Sequence, residues 1–465
     1  MFLPVRLTRP RWFVAGAVVT LAATIPLAAV AAQPGPQAGE DVTTAAEARA
    51  AIEGGQAENV ILLVGDGLGD SEITVARNYV AGAAGELALD TLPLTGAYTT
   101  YSVQEGTRTV PDYVTDSSAA ATAWATGVKT YDGAVSVDPV SKESLPTILE
   151  LASAAGFRTG NVTTAPLTDA TPAVLVSHVS DRGCQGPEDA AARCPVETKD
   201  AGGLGSIAEQ TVEHDVDVLM GGGLYRFEQV NTGGPFAGQT VLEQARALGY
   251  DVATTTQGMR DARPGQPFLG LFSPGAHPTE WTGPLAGPEP GPVITDCPVN
   301  PAHTGVPHLS AMTRKAIALL NAEPSDGSPR PGFFLQVEGA SIDKQAHDSN
   351  PCAQIGETVM FDRTVRAVLD FATRHPNTLV VVAADHAHTS QIIPTDATSP
   401  GRVATLVTAD GVLMKLNYAT SAGSSQTHTG TQVRIAAQGP QAAGVLGVTD
   451  QTDLFDTMAR ALGVA

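Results

Sequence analysis

"NVILLVGD", residues 59–66, is an uninterrupted apolar, β-branched run that closes on glycine and aspartate. A strand with one wet face alternates polar and apolar residues; this one does not, so it reads as a strand buried on both faces. The same texture returns in "DVDVLMGGG" (215–223), "GFFLQVEG" (332–339) and "NTLVVVAADH" (377–386), and a further strand is expected in "TQVRIAAQG" (431–439). Helical patterns lie among them. "SLPTILELASAAG" (144–156) has a serine at its head and a glycine at its foot, "AQIGETVMFDRTVRAVLDFATRH" (353–375) carries helical apolar spacing, and "TDLFDTMARALG" (452–463) closes the chain. Buried strands separated by helices predict an α/β fold with a mostly parallel central sheet and helices on both faces. Two segments break the rhythm. Residues 262–308 are crowded with Pro and Gly and read as an ordered surface excursion pinned by Cys297, and residues 389–426 read as an insertion of short β-like pieces. There is no internal repeat.

The chain has 465 residues and a formal net charge of −21. That balance argues against a nucleic-acid or anionic-membrane partner, and a protein this acidic must bring its own cations to handle an anion. "MFLPVRLTRPR" is basic, "WFVAGAVVTLAATIPLAAV" (12–30) is apolar, and small residues surround Ala29, Ala31 and Ala32. Residues 1–32 therefore read as a signal peptide, 33–46 ("QPGPQAGEDVTTAA") as a linker and 47–465 as one α/β domain. The apolar stretch is long enough that an uncleaved anchor is the alternative. No cysteine precedes Cys184, which rules out a lipidated N-terminal cysteine. Export permits disulfides, and four cysteines allow three pairings. Cys184 with Cys194 closes a short loop and leaves Cys297 with Cys352; in the chain-entropy model these contribute about 3 and about 4 kcal/mol. A cysteine metal site is the competing reading, and the absence of a C-x-x-C pair weakens it.

Three of the buried strands finish alike, on Asp66, Glu338 and Asp385. Ligands of an open parallel sheet bind outside the carboxyl ends of its strands, and three carboxylates gathered there repel unless cations lie between them. Nitrogen donors accompany them. Asp343 and His347 are four apart, His386 and His388 follow Asp385, and "SQTHTG" adds His428. Mixed histidine and carboxylate sets suit zinc, and oxygen-only sets suit magnesium. His178, His214, His277, His303, His308 and His375 have no such neighbours in sequence and are read as structural. "LVGDGLGDS" (63–71) has G-x-G-x-G spacing at Gly65, Gly67 and Gly69, but Asp70 stands where a dinucleotide fingerprint needs Gly or Ala. Its glycines are read as room for the backbone around Asp66.

"TDSSAAATAW" (115–124) sets Asp116, Ser117 and Ser118 at the head of an alanine-rich helix that ends at Gly127. One reading is a polar cap; the other is a nucleophile at a helix N-terminus, where a phosphate docks on N–H groups and the positive dipole. Local composition does not separate Ser117 from Ser118.

Taken together, "VGDGLGDSE", "VTDSSAAATAWATG", "DATPAVLVSHVSDRGCQGP", "QVEGASIDKQAH", "ADHAHTSQ" and "QTHTG" make the chain, from about Asn59 onward, resemble the bacterial periplasmic alkaline phosphatases. The resemblance implies a doubly wound sheet with a small crown-type insertion at 389–426, a homodimer, and two Zn²⁺ and one Mg²⁺ per subunit. It implies Ser117 as nucleophile with Asp116 beside it. One zinc would rest on Asp66, Asp385 and His386, the other on Asp343, His347 and His428, and magnesium on Asp66, Asp169, Thr171 and Glu338. Arg182 would clamp the phosphate, Lys344 would reach it through water, and His388 would orient a ligand by hydrogen bonding. Ala346 departs from the pattern, since an acidic residue often precedes the zinc histidine there, and this bears on tuning of the site rather than on its ligands. The implied activity is hydrolysis of a broad range of phosphate monoesters through a phosphoserine, for phosphate scavenging in the periplasm or outside the cell. A sulfatase would need a C/S-x-P-x-R motif, which "SSAAA" lacks; a diesterase would more often dispense with the third metal. An exported metal- or phosphate-binding protein is the non-enzymatic rival.

Overall fold

The computed structural model of the chain describes residues 54–324, 327–328 and 332–464. The expected signal peptide (1–32) and linker (33–46) lie outside the described residues. Ten strands form the main sheet: Asn59–Gly65 (β1), Leu94–Thr99 (β2), Arg158–Pro166 (β3), Val218–Gly222 (β4), Asp251–Ala253 (β5), Phe268–Leu271 (β6), Phe333–Gly339 (β7), Thr378–Ala384 (β8), Val433–Gln438 (β9) and Gly447–Asp450 (β10). Their order across the sheet is β10-β2-β9-β8-β1-β7-β3-β4-β6-β5. Only β9 opposes its neighbours, β8 and β2; the other adjacent pairs are parallel.

Side chains on a strand alternate between faces, and β7 uses both. Phe333 packs its ring 5.9 Å from Phe371 of the helix Pro351–Arg374, whereas Gln336, three residues on, accepts the Trp124 indole N–H at 3.2 Å. Odd positions therefore meet one helical layer and even positions another, and the expected covering of both faces is present. That is why β1, β7 and β8 are buried at every residue and are largely apolar, with Gln336 of β7 a buried polar exception that meets Trp124.

The two irregular segments meet. Gln391–Ile393, Leu413–Tyr418 and Arg402–Val407 form a second sheet, and its fourth strand, Val293–Ile294, comes from the 262–308 excursion. Cys297–Cys352 ties that excursion to the start of the helix Pro351–Arg374, and Cys184–Cys194 is the other disulfide. One element starts later than its sequence suggests. The helix expected from Ser144 runs Ile148–Ala154, because Pro146 precedes Thr147 and Thr147 forms a capping box with Glu150.

Register then places the chemistry. Gly65 of β1 aligns with Gly339 of β7 and with Ala384 of β8. Asp66, Glu338 and Asp385 consequently emerge at one end of three adjacent strands.

Candidate active site

The helix Ser117–Thr126 points its N-terminus into this cluster. Asp116 is extended and caps it, accepting the Ala119 N–H at 2.9 Å. Ser118 Oγ donates to both oxygens of the same carboxylate, at 3.0 and 2.9 Å. Ser117, also buried, turns the other way, with Oγ 3.3 Å from His386 Nε2. Geometry separates the two serines that composition left equivalent: one hydroxyl serves the cap, and the other faces histidine and carboxylates.

The turn that follows Asp66 packs close against Asp343 and reaches Asp385. Gly67 has a φ of 69°, and a Cβ there would sit 3.0 Å from the Asp343 Cα, so the position admits only glycine without strain. The Gly67 N–H reaches Asp385 Oδ1 at 2.8 Å and the His386 N–H reaches the same oxygen at 2.9 Å. Asp385 Oδ2 and Asp66 Oδ1 are left buried without a hydrogen bond, 3.2 and 3.6 Å from His386 Nε2. Burial, then the charges of Asp343 and Asp385, pushes the Asp66 carboxyl well above its ordinary range.

A second group surrounds Asp343. Its Oδ1 lies 3.3 Å from His347 Nε2, one helical turn on, and 3.2 Å from the Nε2 atoms of both His388 and His428. His347 Nδ1 is 2.5 Å from the Gln426 carbonyl and His428 Nδ1 is 3.0 Å from the Thr115 carbonyl. A carbonyl can only accept, so both Nδ1 atoms carry the hydrogen. In the neutral rings the Nε2 lone pairs, 3.1 Å apart, then face each other and a carboxylate. Such an arrangement requires a cation between the donors, and ligating histidines characteristically have their other nitrogen held in this way. With only protons to supply it, the His428 pKa rises to about 9: burial opposes the charge, and Asp343 outweighs burial. His388 is wired in the opposite sense. The Thr389 N–H donates to its Nδ1 at 2.9 Å, so Nε2 carries the hydrogen, 3.2 Å from Asp343 Oδ1.

Glu338 accepts from the Thr163 hydroxyl, and burial above all raises its pKa to about 7. Thr171 lies in the short helix Ala170–Ala173, whose carbonyl at Thr171 accepts from Gln336 on β7 at 2.9 Å. Asp169 caps that helix, and both its oxygens are engaged by cations: Oδ1 by Arg182 Nη2 at 3.0 Å and Oδ2 by Lys344 Nζ at 2.9 Å. Burial works against the charged form of Asp169, but Lys344 and Arg182 hold its pKa well below the usual carboxylate range. Arg182 Nη1 meets Asp116 at 3.0 Å, which puts the guanidinium, about a third exposed, beside Ser117. The donor set thus fits metal ions on chemical grounds: buried carboxylate oxygens without partners, and imidazole lone pairs turned inward.

Gly67 reads in the sequence as room for the backbone around Asp66, and the fold shows Asp343 filling that room. Sequence reading gives no warning of Thr163 on Glu338, or of the Thr115 and Gln426 carbonyls that fix the ring tautomers. Backbone partners leave no residue-type signal. The remaining histidines, read as structural because no ligand spacing surrounds them in sequence, include two pairs that the fold sets on a carboxylate: His178 and His214 on Glu150, and His303 and His308 on Glu280.

A family model described as alkaline phosphatase matches residues 57–408 and 400–464. The chain is 55% identical over 413 residues to a streptomycin-6-phosphate phosphatase of Streptomyces griseus, covering 88% of this chain and 91% of that one. It is 52% identical over 415 residues to an alkaline phosphatase of Escherichia coli, covering 88% and 86%. Among solved structures, the alkaline phosphatase of the Antarctic bacterium TAB5 superposes with a TM-score of 0.66 at 23% identity, over 88% of this chain and all of that one.

Proposed function

Because this chain belongs to the alkaline phosphatase family and is accordingly a phosphoric monoester hydrolase, we propose that it works through a covalent phosphoserine on Ser117. The observation that carries this reading is the hydroxyl of Ser117, buried at a helix N-terminus and 3.3 Å from His386, while Ser118 is spent on the cap.

Divalent cations would supply charge neutralisation at the attacking and leaving oxygens. The residues to hold two Zn²⁺ are Asp66, Asp385 and His386 on the serine side and Asp343, His347 and His428 on the other; those for one Mg²⁺ are Asp66, Asp169, Thr171 and Glu338. Ser117 Oγ gives its proton to solvent and forms the new bond to phosphorus as the bond to the alcohol oxygen breaks, and the alcohol departs with a proton from solvent. Water then forms a bond to phosphorus, the Ser117 Oγ–P bond breaks, and inorganic phosphate leaves. The helix dipole and the free N–H groups of the first turn favour the negative phosphoryl group at that position. Arg182 gives one hydrogen of each terminal nitrogen to Asp116 and Asp169 and keeps a second on each for two phosphoryl oxygens. Lys344 reaches the same group through water. His388 contributes by aiming Asp343.

The basic and then apolar N-terminus supports export to the periplasm or beyond, where broad phosphate scavenging as a homodimer is the proposed role. Among the described residues no helix is long and apolar enough to cross a membrane. The test is hydrolysis of a chromogenic phosphate monoester at alkaline pH with zinc and magnesium, beside the matching diester, the sulfate ester and an aminoglycoside phosphate. Turnover of the monoester is expected, lost with a chelator and reduced at least ~10³-fold by Ser117→Ala, as for other removed nucleophiles. Metal content should not change. Full activity in Ser117→Ala would end the phosphoserine reading.

A further inference from the structure

Away from the active-site cluster, Glu150, His178 and His214 converge from segments far apart in sequence. Glu150 lies in the helix Ile148–Ala154, His178 in the loop before Arg182, and His214 caps the C-terminus of the helix Ile207–Glu213. Glu150 Oε1 is 3.1 Å from His178 Nε2 and 2.8 Å from His214 Nε2. The opposite ring nitrogens fix the hydrogens. His178 Nδ1 is 2.9 Å from the Ser136 carbonyl, and His214 Nδ1 is 2.9 Å from the Gln210 carbonyl. Both Nδ1 atoms must donate, so each neutral ring aims an Nε2 lone pair at the carboxylate oxygen. Three electron-rich atoms, all within 4.8 Å of one another, then share a space that only a cation can reconcile.

We infer that Glu150, His178 and His214 form a zinc site separate from the active centre. Two imidazole nitrogens and one carboxylate oxygen are a zinc donor set, and ligand atoms about 2.0–2.1 Å from a tetrahedral zinc stand roughly 3.3 Å apart. The oxygen–nitrogen separations need open by only a few tenths of an ångström to match. The supporting contacts are of the kind that hold metal ligands in place. Both rings lean on carbonyls, and Glu150 Oε2 is held by the Thr147 N–H at 2.8 Å. Gln210 grips the His178 backbone on both sides, accepting its N–H at 2.9 Å and donating to its carbonyl at 3.3 Å. Glu150 and His214 are each about a quarter exposed, which lets water complete the coordination. Occupancy would fasten the start of the Arg182 loop, since Val179 bridges to Val135 and the Arg182 N–H reaches the Gly133 carbonyl.

The competing occupant is a proton on each ring, and zinc counting separates the two. Purified chain, dialysed against zinc-free buffer after loading, is compared with His214→Gln and Glu150→Gln. Each variant is expected to hold one zinc fewer per chain, with kcat toward the monoester retained and folding verified by circular dichroism. On the unmutated chain, zinc is expected to slow carbethoxylation of His214 at least tenfold, a readout that needs no variant. Equal zinc in all three chains, or His214 labelling indifferent to zinc, would overturn the site and leave a protonated histidine pair.

Discussion

Asp116 does more than cap a helix: its two oxygens hold Ala119, Ser118, Gly133 and Arg182. Asp116→Ala should cost about 1 kcal/mol of stability for the cap alone. By releasing one side of the guanidinium it should also weaken inhibition by inorganic phosphate roughly tenfold, the worth of a hydrogen bond to a charged group. Asp116→Asn, which can still cap, should show the second effect with less of the first; denaturant melts and phosphate inhibition constants distinguish them. Glu357 offers a prediction with a pH sign. Burial, offset in part by the Glu280 N–H and compounded by the Glu280 charge, raises its pKa to about 8. An acid whose folded pKa is raised binds its proton more tightly in the folded state, so stability falls as pH rises from about 4.5 and levels off above 8. Glu357→Gln keeps an acceptor for the Glu280 N–H. It should melt higher than the parent at pH 9, and the difference should vanish near pH 4. The candidate ligands were legible because their side chains are chemically distinctive; Asp66, Asp385 and Glu338 stand out after apolar runs. The partners that orient them, Thr115 and Gln426, act through backbone carbonyls and have no such signature.

The helix Ser117–Thr126 is buried throughout and terminates at Gly127, whose φ is 74° and whose added Cβ would lie 3.0 Å from the Phe455 ring. Gly127→Ala should therefore destabilise the chain by at least about 1 kcal/mol, read from urea unfolding, and should leave zinc content unchanged. Other elements were unevenly legible. β1, β7 and β8 announce themselves because both faces are dry and side chains are apolar. β3, "RTGNVTTAP", is buried at all but its two end residues yet carries no apolar run, because its burial goes to polar contacts: Asn161 donates to the Pro172 carbonyl, and Thr163 to Glu338. The helix at Ile148 begins late for a local reason, since Thr147 offers a reciprocal cap with Glu150 that Ser144 does not.

Across the molecule, the 262–308 excursion and the 389–426 insertion share one small sheet, an association that neither segment's composition could reveal because it depends on pairing between Val293–Ile294 and Thr405–Leu406. Cys297–Cys352 fixes the excursion to the body over a separation of 55 residues. Replacing both cysteines by serine should lower stability by up to about 4 kcal/mol in the chain-entropy model, seen as a lower thermal midpoint, with hydrolysis at 25 °C preserved. The order of strands has a further consequence for biosynthesis. β1 occupies the middle of the sheet, yet Asn59 pairs with Phe333 and Thr378, and the last of the clustered histidines is His428. A ribosome makes the central strand early and both its neighbours late. A nascent or prematurely terminated chain therefore lacks the ring that closes the centre, and the protein cannot become active until nearly all of it has been made.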